Sequence, residues 1–168
     1  MAQEAMAQEA MAQEAMATPA HIPWYAPMAN RVIVALARAG FKLRGPGIFF
    51  GDYPMSLLTA RGRKSGLPRT VPLAIIQRNG ARYVGAAYGT VDWARNLRAA
   101  GEATLTRGHH SEAVSARELP PGEAALVLRA DVIAGNPFAR AYGVRPDSSL
   151  AEFERAARIH PLFALEGR

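Results

Sequence analysis

Between Arg61 and Arg69 the chain sets four cations, Arg61, Arg63, Lys64 and Arg69, around Gly62, Ser65, Gly66 and Pro68. Guanidinium groups hold oxyanions through paired N–H donors, an ammonium acts as a point charge, and exposed loop N–H groups add further donors. The chemistry on offer is capture of an anion rather than proton transfer or nucleophilic attack. No acidic residue lies between Asp52 and Asp92, while Arg78 and Arg82 bring the cations of that span to six. The whole chain carries 20 Lys and Arg against 14 Asp and Glu, an excess of the same six, so the basicity is expected to be local. A solvated face is the ordinary reading of such a charge run. Here the run sits in a loop that Gly and Pro keep from becoming helix, between the apolar ends Leu57–Thr59 and Thr70–Leu73.

Other chemistries find less support. Lys64-Ser65 ends like a P-loop, but Arg63 stands where a glycine must precede the lysine, and Pro68 interrupts the helix that should follow. No G-x-G-x-x-G opens a helix behind a strand. His21, His109, His110 and His160 show no metal-binding spacing and read as surface or packing residues. Ser65 has neither a base beside it nor a nucleophile elbow. The chain has no cysteine, hence no disulfide framework, thiolate metal site or thiol nucleophile.

The elements that position the loop follow from pattern. Val71–Gln77 and Tyr83–Ala87 are β-rich runs around Arg78-Asn79-Gly80-Ala81, and Asn-Gly marks a tight hairpin. Asp92 is placed to cap a helix through Ala99, which Gly101 stops. Ala103–Thr106 and Ala113–Glu118 read as strands joined through Gly108-His109-His110. Pro120-Pro121 opens a helix from about Glu123 to Ile133. Asn136–Tyr142 and Leu150–Arg158 read as short helices, and Leu162–Leu165 as a last strand. Mostly antiparallel strands with helices between them make the fold class α+β.

Upstream, residues 1–15 repeat MAQEA three times and a decayed copy, MATPA, follows. A five-residue period walks its methionines around a helix, so residues 1–20 read as a solvent-exposed tail. Deleting residues 1–16 is expected to leave the melting temperature and ligand affinity nearly unchanged; a large fall in melting temperature would contradict this. Residues 21–47 form a second region, in which Met28 to Lys42 has helical spacing of Val32, Ile33, Leu36, Ala37 and Phe41. Packing on the domain that follows is the plain reading. Peripheral contact of 28–42 with an anionic membrane is the alternative. No apolar run reaches the length of a membrane span and no signal peptide is evident, so the expected location is cytoplasmic, or peripheral on the inner face of the membrane.

The segments GRKSGLPRTVPL, RYVGAAYG, DWARNLRAAGEATLTRG and HPLFALE together resemble the deazaflavin-dependent nitroreductase family, over about Tyr53 to Glu166. The most specific parts are the GRKSG-x-PRT loop and the W-x-x-NLRA segment behind it. The resemblance implies a split β-barrel of the flavin-reductase type over residues 48–168, binding reduced coenzyme F420. It implies an oxidoreductase that gives hydride to a planar, electron-poor acceptor such as a quinone or nitro-compound. In such enzymes the cofactor carries the reaction, so no catalytic acid or base is assigned. The phosphate and γ-linked glutamates of the cofactor's tail suit Arg63, Lys64 and Arg69, with Ser65, Gly66 and Thr70. The ring is implied to lie against Pro72, Leu73 and Ala74 and against Ala86, Ala87, Tyr88 and Gly89, with Trp93, Asn96 and Leu97 closing the groove.

Better-known members carry a serine near Ala87, a tyrosine where this chain has Ala94, and Asn-Pro near Ala100-Gly101. These departures leave the acceptor open. Trp24, Tyr25, Tyr53, Tyr88 and Tyr142 are the aromatics available to line its pocket, with core packing the default for each. An FMN enzyme on the same scaffold, or a cofactor-binding module without turnover, remain as alternatives. Nucleic acid is not expected as a partner, because the basic loop lacks interleaved aromatics. The oligomeric state is not legible here.

Overall fold

The computed structural model describes residues 55–168 apart from 137, together with the helical residues 31, 32, 34 and 35. The repeat tail, most of region 21–47, and Trp24, Tyr25 and Tyr53 lie outside the described residues. Membrane contact through 28–42 falls largely outside them as well. Among the described residues no helix is long and apolar enough to cross a membrane.

Among the described residues from Met55 onward, seven strands and three α-helices follow in the order β1 (Met55–Arg61), β2 (Pro68–Ala74), β3 (Ile76–Arg78), β4 (Ala81–Gly85), α1 (Asp92–Ala100), β5 (Glu102–Arg107), β6 (His110–Glu118), α2 (Pro121–Ile133), α3 (Leu150–Ile159) and β7 (Leu162–Gly167). They make one sheet of order β2-β1-β5-β6-β7-β4-β3, and every pairing is antiparallel. The two edge strands, β2 and β3, are consecutive in the chain with only Ile75 between them. A residue spans about 3.8 Å, so the sheet must curl until its edges stand side by side. No ladder joins β2 to β3 among the described residues. The result is a barrel split at that seam, as the resemblance implied, in an α+β chain.

The seam explains a difference from the sequence pattern. The single strand expected over Val71–Gln77 breaks at Ile75, which is 2% exposed and turns into the core at the corner. Being an edge strand also lets β2 hold Pro68 and Pro72, since its free side requires no N–H donors. At the β3–β4 hairpin, Asn79 (φ 49°) and Gly80 (φ 77°) both take positive φ, the tight turn that Asn-Gly favours.

β7 shows the two faces of the sheet. Phe163 and Leu165 point inside the barrel with Leu58, Val84, Leu97, Leu105 and Val114. Leu162 and Ala164 point outward under α2 and α3, with Leu128, Val132 and Phe153. Alternation along one strand thus feeds two cores, which is why LFAL reads as a continuous apolar run. Helix α1 closes the inner core: Ala94 and Leu97 are fully buried, and Trp93 packs its ring 6.2 Å from that of Phe163. Asp92 is not the cap of α1. Val91 holds that position without a side-chain bond, and Asp92 is the first helical residue. Where the sequence suggested a short helix over Asn136–Tyr142, the described residues form a 3₁₀ turn over Ala139–Tyr142.

Candidate functional site

The β1–β2 connection carries the cations, and its shape comes from its own backbone. Gly62 N–H donates to the Leu67 carbonyl at 2.9 Å, and Gly66 N–H to the Gly62 carbonyl at 2.8 Å. A Cβ on Gly62 would stand 2.9 Å from Ser65 Oγ and 3.1 Å from the Leu67 oxygen, so a side chain there would displace the loop. Ser65 Oγ accepts long bonds from the Leu67 N–H (3.4 Å) and from Arg69 Nη2 (3.5 Å). Below the loop the Thr59 and Thr70 hydroxyls meet at 2.9 Å across the ladder. The loop is therefore a built turn, with its side chains raised from the sheet.

The six cations do not act alike. Arg63 is tied to α1: its backbone N–H and Nη1 donate to Asn96 Oδ1 at 3.2 and 3.0 Å, and its Nη2 reaches Asp92 Oδ1 at 3.1 Å. Asn96 is buried, so this bond satisfies a polar group that would otherwise stand unpaired in the core. Arg78 turns instead toward α2, 3.6 Å from the buried Asp131 carboxylate. Arg82 forks onto Glu112 of β6; that hydrogen-bonded pair raises the guanidinium pKa and lowers the carboxyl. Half of the apparent cationic surplus is thus met by carboxylates distant in sequence. Among the described residues Arg61, Lys64 and Arg69 have no carboxylate within 4 Å.

Lys64 and Arg69 share a cavity of about 870 Å³. Gly62, Arg63 and Ser65 of the loop, Pro68, Thr70 and Val71 of β2, and Asp92, Trp93 and Asn96 of α1 line it as well. Arg31, Val34 and Ala35 from the upstream helical segment complete the wall. Seven residues implied by the sequence therefore come together here: Arg63, Lys64, Ser65, Arg69, Thr70, Trp93 and Asn96. Gly66 lies exposed at the loop tip, Pro72 is buried in β2, and Leu73 and Ala74 are half-buried further along it. Ala86 and Leu97 belong to the inner barrel core against which Trp93 packs, and Ala87 to the outer core under α2 and α3. Tyr88 is 44% exposed, on the turn after β4 that Gly89 shares. Tyr142 is buried, edge-on to the His160 ring at 5.3 Å.

That turn is fixed by His160. Gly89 N–H donates both to the Ala86 carbonyl (2.9 Å) and to His160 Nδ1 (3.2 Å), and the next residue, Pro161, accepts the Ala86 N–H at 3.0 Å. Burial pushes the His160 pKa below its ordinary value, against the opposing pull of the Ala86 and Ala87 backbone. His160 Nδ1 stands 3.2 Å from both the Gly89 N–H and the Ala86 carbonyl oxygen, meeting one or the other according to its tautomer, and burial favours the neutral ring, without the second proton. The unfolded chain binds that proton more readily, so this contribution to stability is complete above about pH 6.5 and is lost as pH falls below it. Denaturant melts at pH 7.5 and 5.5 should show the decline, and His160→Gln should flatten it; an unchanged slope in the variant would contradict the assignment.

Two parts of the site escaped the sequence. Asp92 looked like a cap and is instead the anchor of Arg63. The wall formed by Arg31, Val34 and Ala35 was not foreseen, because the helical spacing was read on Val32, Ile33, Leu36, Ala37 and Phe41, of which Val32 is exposed. Among the described residues no group of three or more His, Cys, Asp or Glu stands ready to hold a metal ion.

Fold and site together define a split-barrel protein with a cation-lined cavity between a basic hairpin loop and a helix. The F420H2-dependent quinone reductase family matches residues 37–151, and the chain belongs to that family. It is an oxidoreductase whose cofactor is reduced coenzyme F420. Among solved structures it is similar to an F420-H2 dependent reductase, FDR-A, at 28% identity over 67% of this chain and 94% of that one, with a TM-score of 0.47. A domain-swapped dimer shares 26% identity over 83% of this chain and 99% of its own, with a TM-score of 0.50. The protein Atu2129 of unknown function from Agrobacterium tumefaciens str. C58 shares 21% identity over 90% and 59%, with a TM-score of 0.46. No curated protein matches the chain.

The residues present fit the cofactor. The cavity lies within the usual range of small-molecule sites, Lys64 and Arg69 in it have no carboxylate within 4 Å among the described residues, and Val34, Val71 and Trp93 give it apolar lining.

Proposed function

We propose that the cavity between the β1–β2 loop and α1 holds the phosphate and glutamate tail of the cofactor, and that the acceptor is a quinone. The observation that carries this reading is the pairing pattern: among the described residues Lys64 and Arg69 have no carboxylate within 4 Å, where Arg63, Arg78 and Arg82 have one. Lys64 serves as a point charge and Arg69 as a fork, with Ser65 Oγ steadying the Arg69 guanidinium. Arg63 positions the loop through Asn96 and Asp92 rather than spending all its donors on the ligand. When bound, the reduced deazaflavin supplies hydride, leaving the protein to bind, orient and exclude water.

The ring would lie past Trp93 toward Leu73, Ala74 and the Ala86–Gly89 turn, whose backbone His160 holds still. Quinone is favoured over other planar acceptors because the family that matches the chain is that of quinone reductases. Purified protein should bind F420 more tightly than FMN, and oxidise F420H2 when a soluble quinone is added. Tight FMN binding with no F420 binding would overturn the reading.

A further inference from the structure

The cavity wall opposite the loop belongs to a different part of the chain. Arg31, Val34 and Ala35 all line it, and their i, i+3, i+4 spacing puts them on one helical face. Val32 is 53% exposed and looks elsewhere. Val34 and Ala35 offer apolar contact, while Arg31 adds a cation facing those of the loop. Four cations, Arg31, Arg63, Lys64 and Arg69, line the cavity against one carboxylate, Asp92. Asp92 is already engaged by Arg63 and Arg95. Like charges gathered around one cavity repel unless an anion of matching charge enters it. A lone phosphodiester brings one negative charge, which the loop cations alone would meet. An excess of three calls for an extended polyanion reaching from loop to helix.

We propose that Arg31 is a binding residue for the carboxylates of the glutamate chain, so that the helical segment and the barrel loop grip the tail from opposite sides. This rests on the cavity being the tail site. Tail recognition is then shared: phosphate by the loop, carboxylates by the helix. Affinity should rise with the number of glutamates, and the rise should depend on Arg31.

The experiment titrates wild-type protein and Arg31→Gln with intact F420 and with the deazaflavin fragment that lacks phosphate and glutamates. For an exposed charged contact the variant should bind F420 about three- to ten-fold more weakly and the fragment equally well. Its F420 affinity should also depend less steeply on salt, and Arg31→Lys should recover most of the loss. Equal F420 affinity in Arg31→Gln and wild type would overturn the proposal while leaving the loop site intact. Equal weakening toward fragment and cofactor would overturn it too, since Arg31 would then act only by shaping the wall. Wild-type protein that discriminates not at all between F420 and the fragment would overturn the tail site itself.

Discussion

Alanine at Lys64 or Arg69 is expected to weaken F420 binding by about ten- to a hundred-fold with the melting temperature unchanged. Each is exposed and meets no carboxylate among the described residues, so its loss leaves nothing buried behind it. A charge-assisted hydrogen bond contributes about 1.5–3 kcal/mol, which sets that range. Arg69→Lys should rescue little of a forked contact, whereas Lys64→Arg should be tolerated. Arg63→Ala differs in kind. It removes the Nη1 bond to the buried Asn96 Oδ1, which keeps only the backbone N–H, and the tie to Asp92, so affinity and melting temperature should fall together. The equal-charge comparison is Arg107, exposed toward the other end of β1 through the β1–β5 ladder. If Arg107→Ala weakens binding as much as Lys64→Ala, only bulk electrostatics acts. Isothermal titration at two salt concentrations measures all of these.

Arg78→Ala is expected to be the most destabilising change of a single charged residue, although the sequence shows Arg78 only as a cation beside a hairpin turn. Its Nη2 donates to the Ala130 carbonyl at 2.9 Å and stands 3.6 Å from Asp131 Oδ1. Asp131 is 1% exposed, and its other oxygen takes a bond from Asn136 Nδ2 at 2.5 Å. Asn136 in turn accepts the Phe138 N–H at 2.6 Å, so the network ties the hairpin to the end of α2 and the segment after it. Removing the guanidinium takes the Arg78 charge away from a buried carboxylate. Breaking such a pair costs about 3–5 kcal/mol, and the lower end applies because Arg78 is partly exposed. For a chain of this size that is roughly 6–12 °C of melting temperature. The F420 dissociation constant, measured below the melt, should stay within about two-fold of wild type, since the pair lies outside the cavity. A variant that melts like wild type would show that the pair contributes nothing.

These two cases show what the sequence made legible. Local rules carried far: the Asn79-Gly80 hairpin, the α1 stop, whose Gly101 N–H meets the Leu97 carbonyl, and the Pro121 start of α2 all arise from contacts within a few residues. The residues of the β1–β2 loop were visible for the same reason. Charge was not, because partners of a guanidinium are chosen by the fold. Arg82 and Glu112 are thirty residues apart and meet only because β4 and β6 both flank β7. Arg78 and Asp131 are fifty-three apart and meet only once α2 lies over the sheet. A charge count along the chain therefore overstated the free cations. Barrel closure was equally hidden, for it depends on β2 and β3 being sheet edges and chain neighbours at once.

The most direct test of the central claim is a crystal structure of the protein with F420 bound. The phosphate should lie within hydrogen-bond reach of Lys64 and Arg69, with the glutamate chain running through the cavity toward Arg31. A second cavity, of about 720 Å³, lies between the Asn79–Tyr83 hairpin and α2, lined by Arg82 and Arg117 as well as Glu123 and Glu166. Phosphate density there, or anywhere away from the β1–β2 loop, would contradict the account.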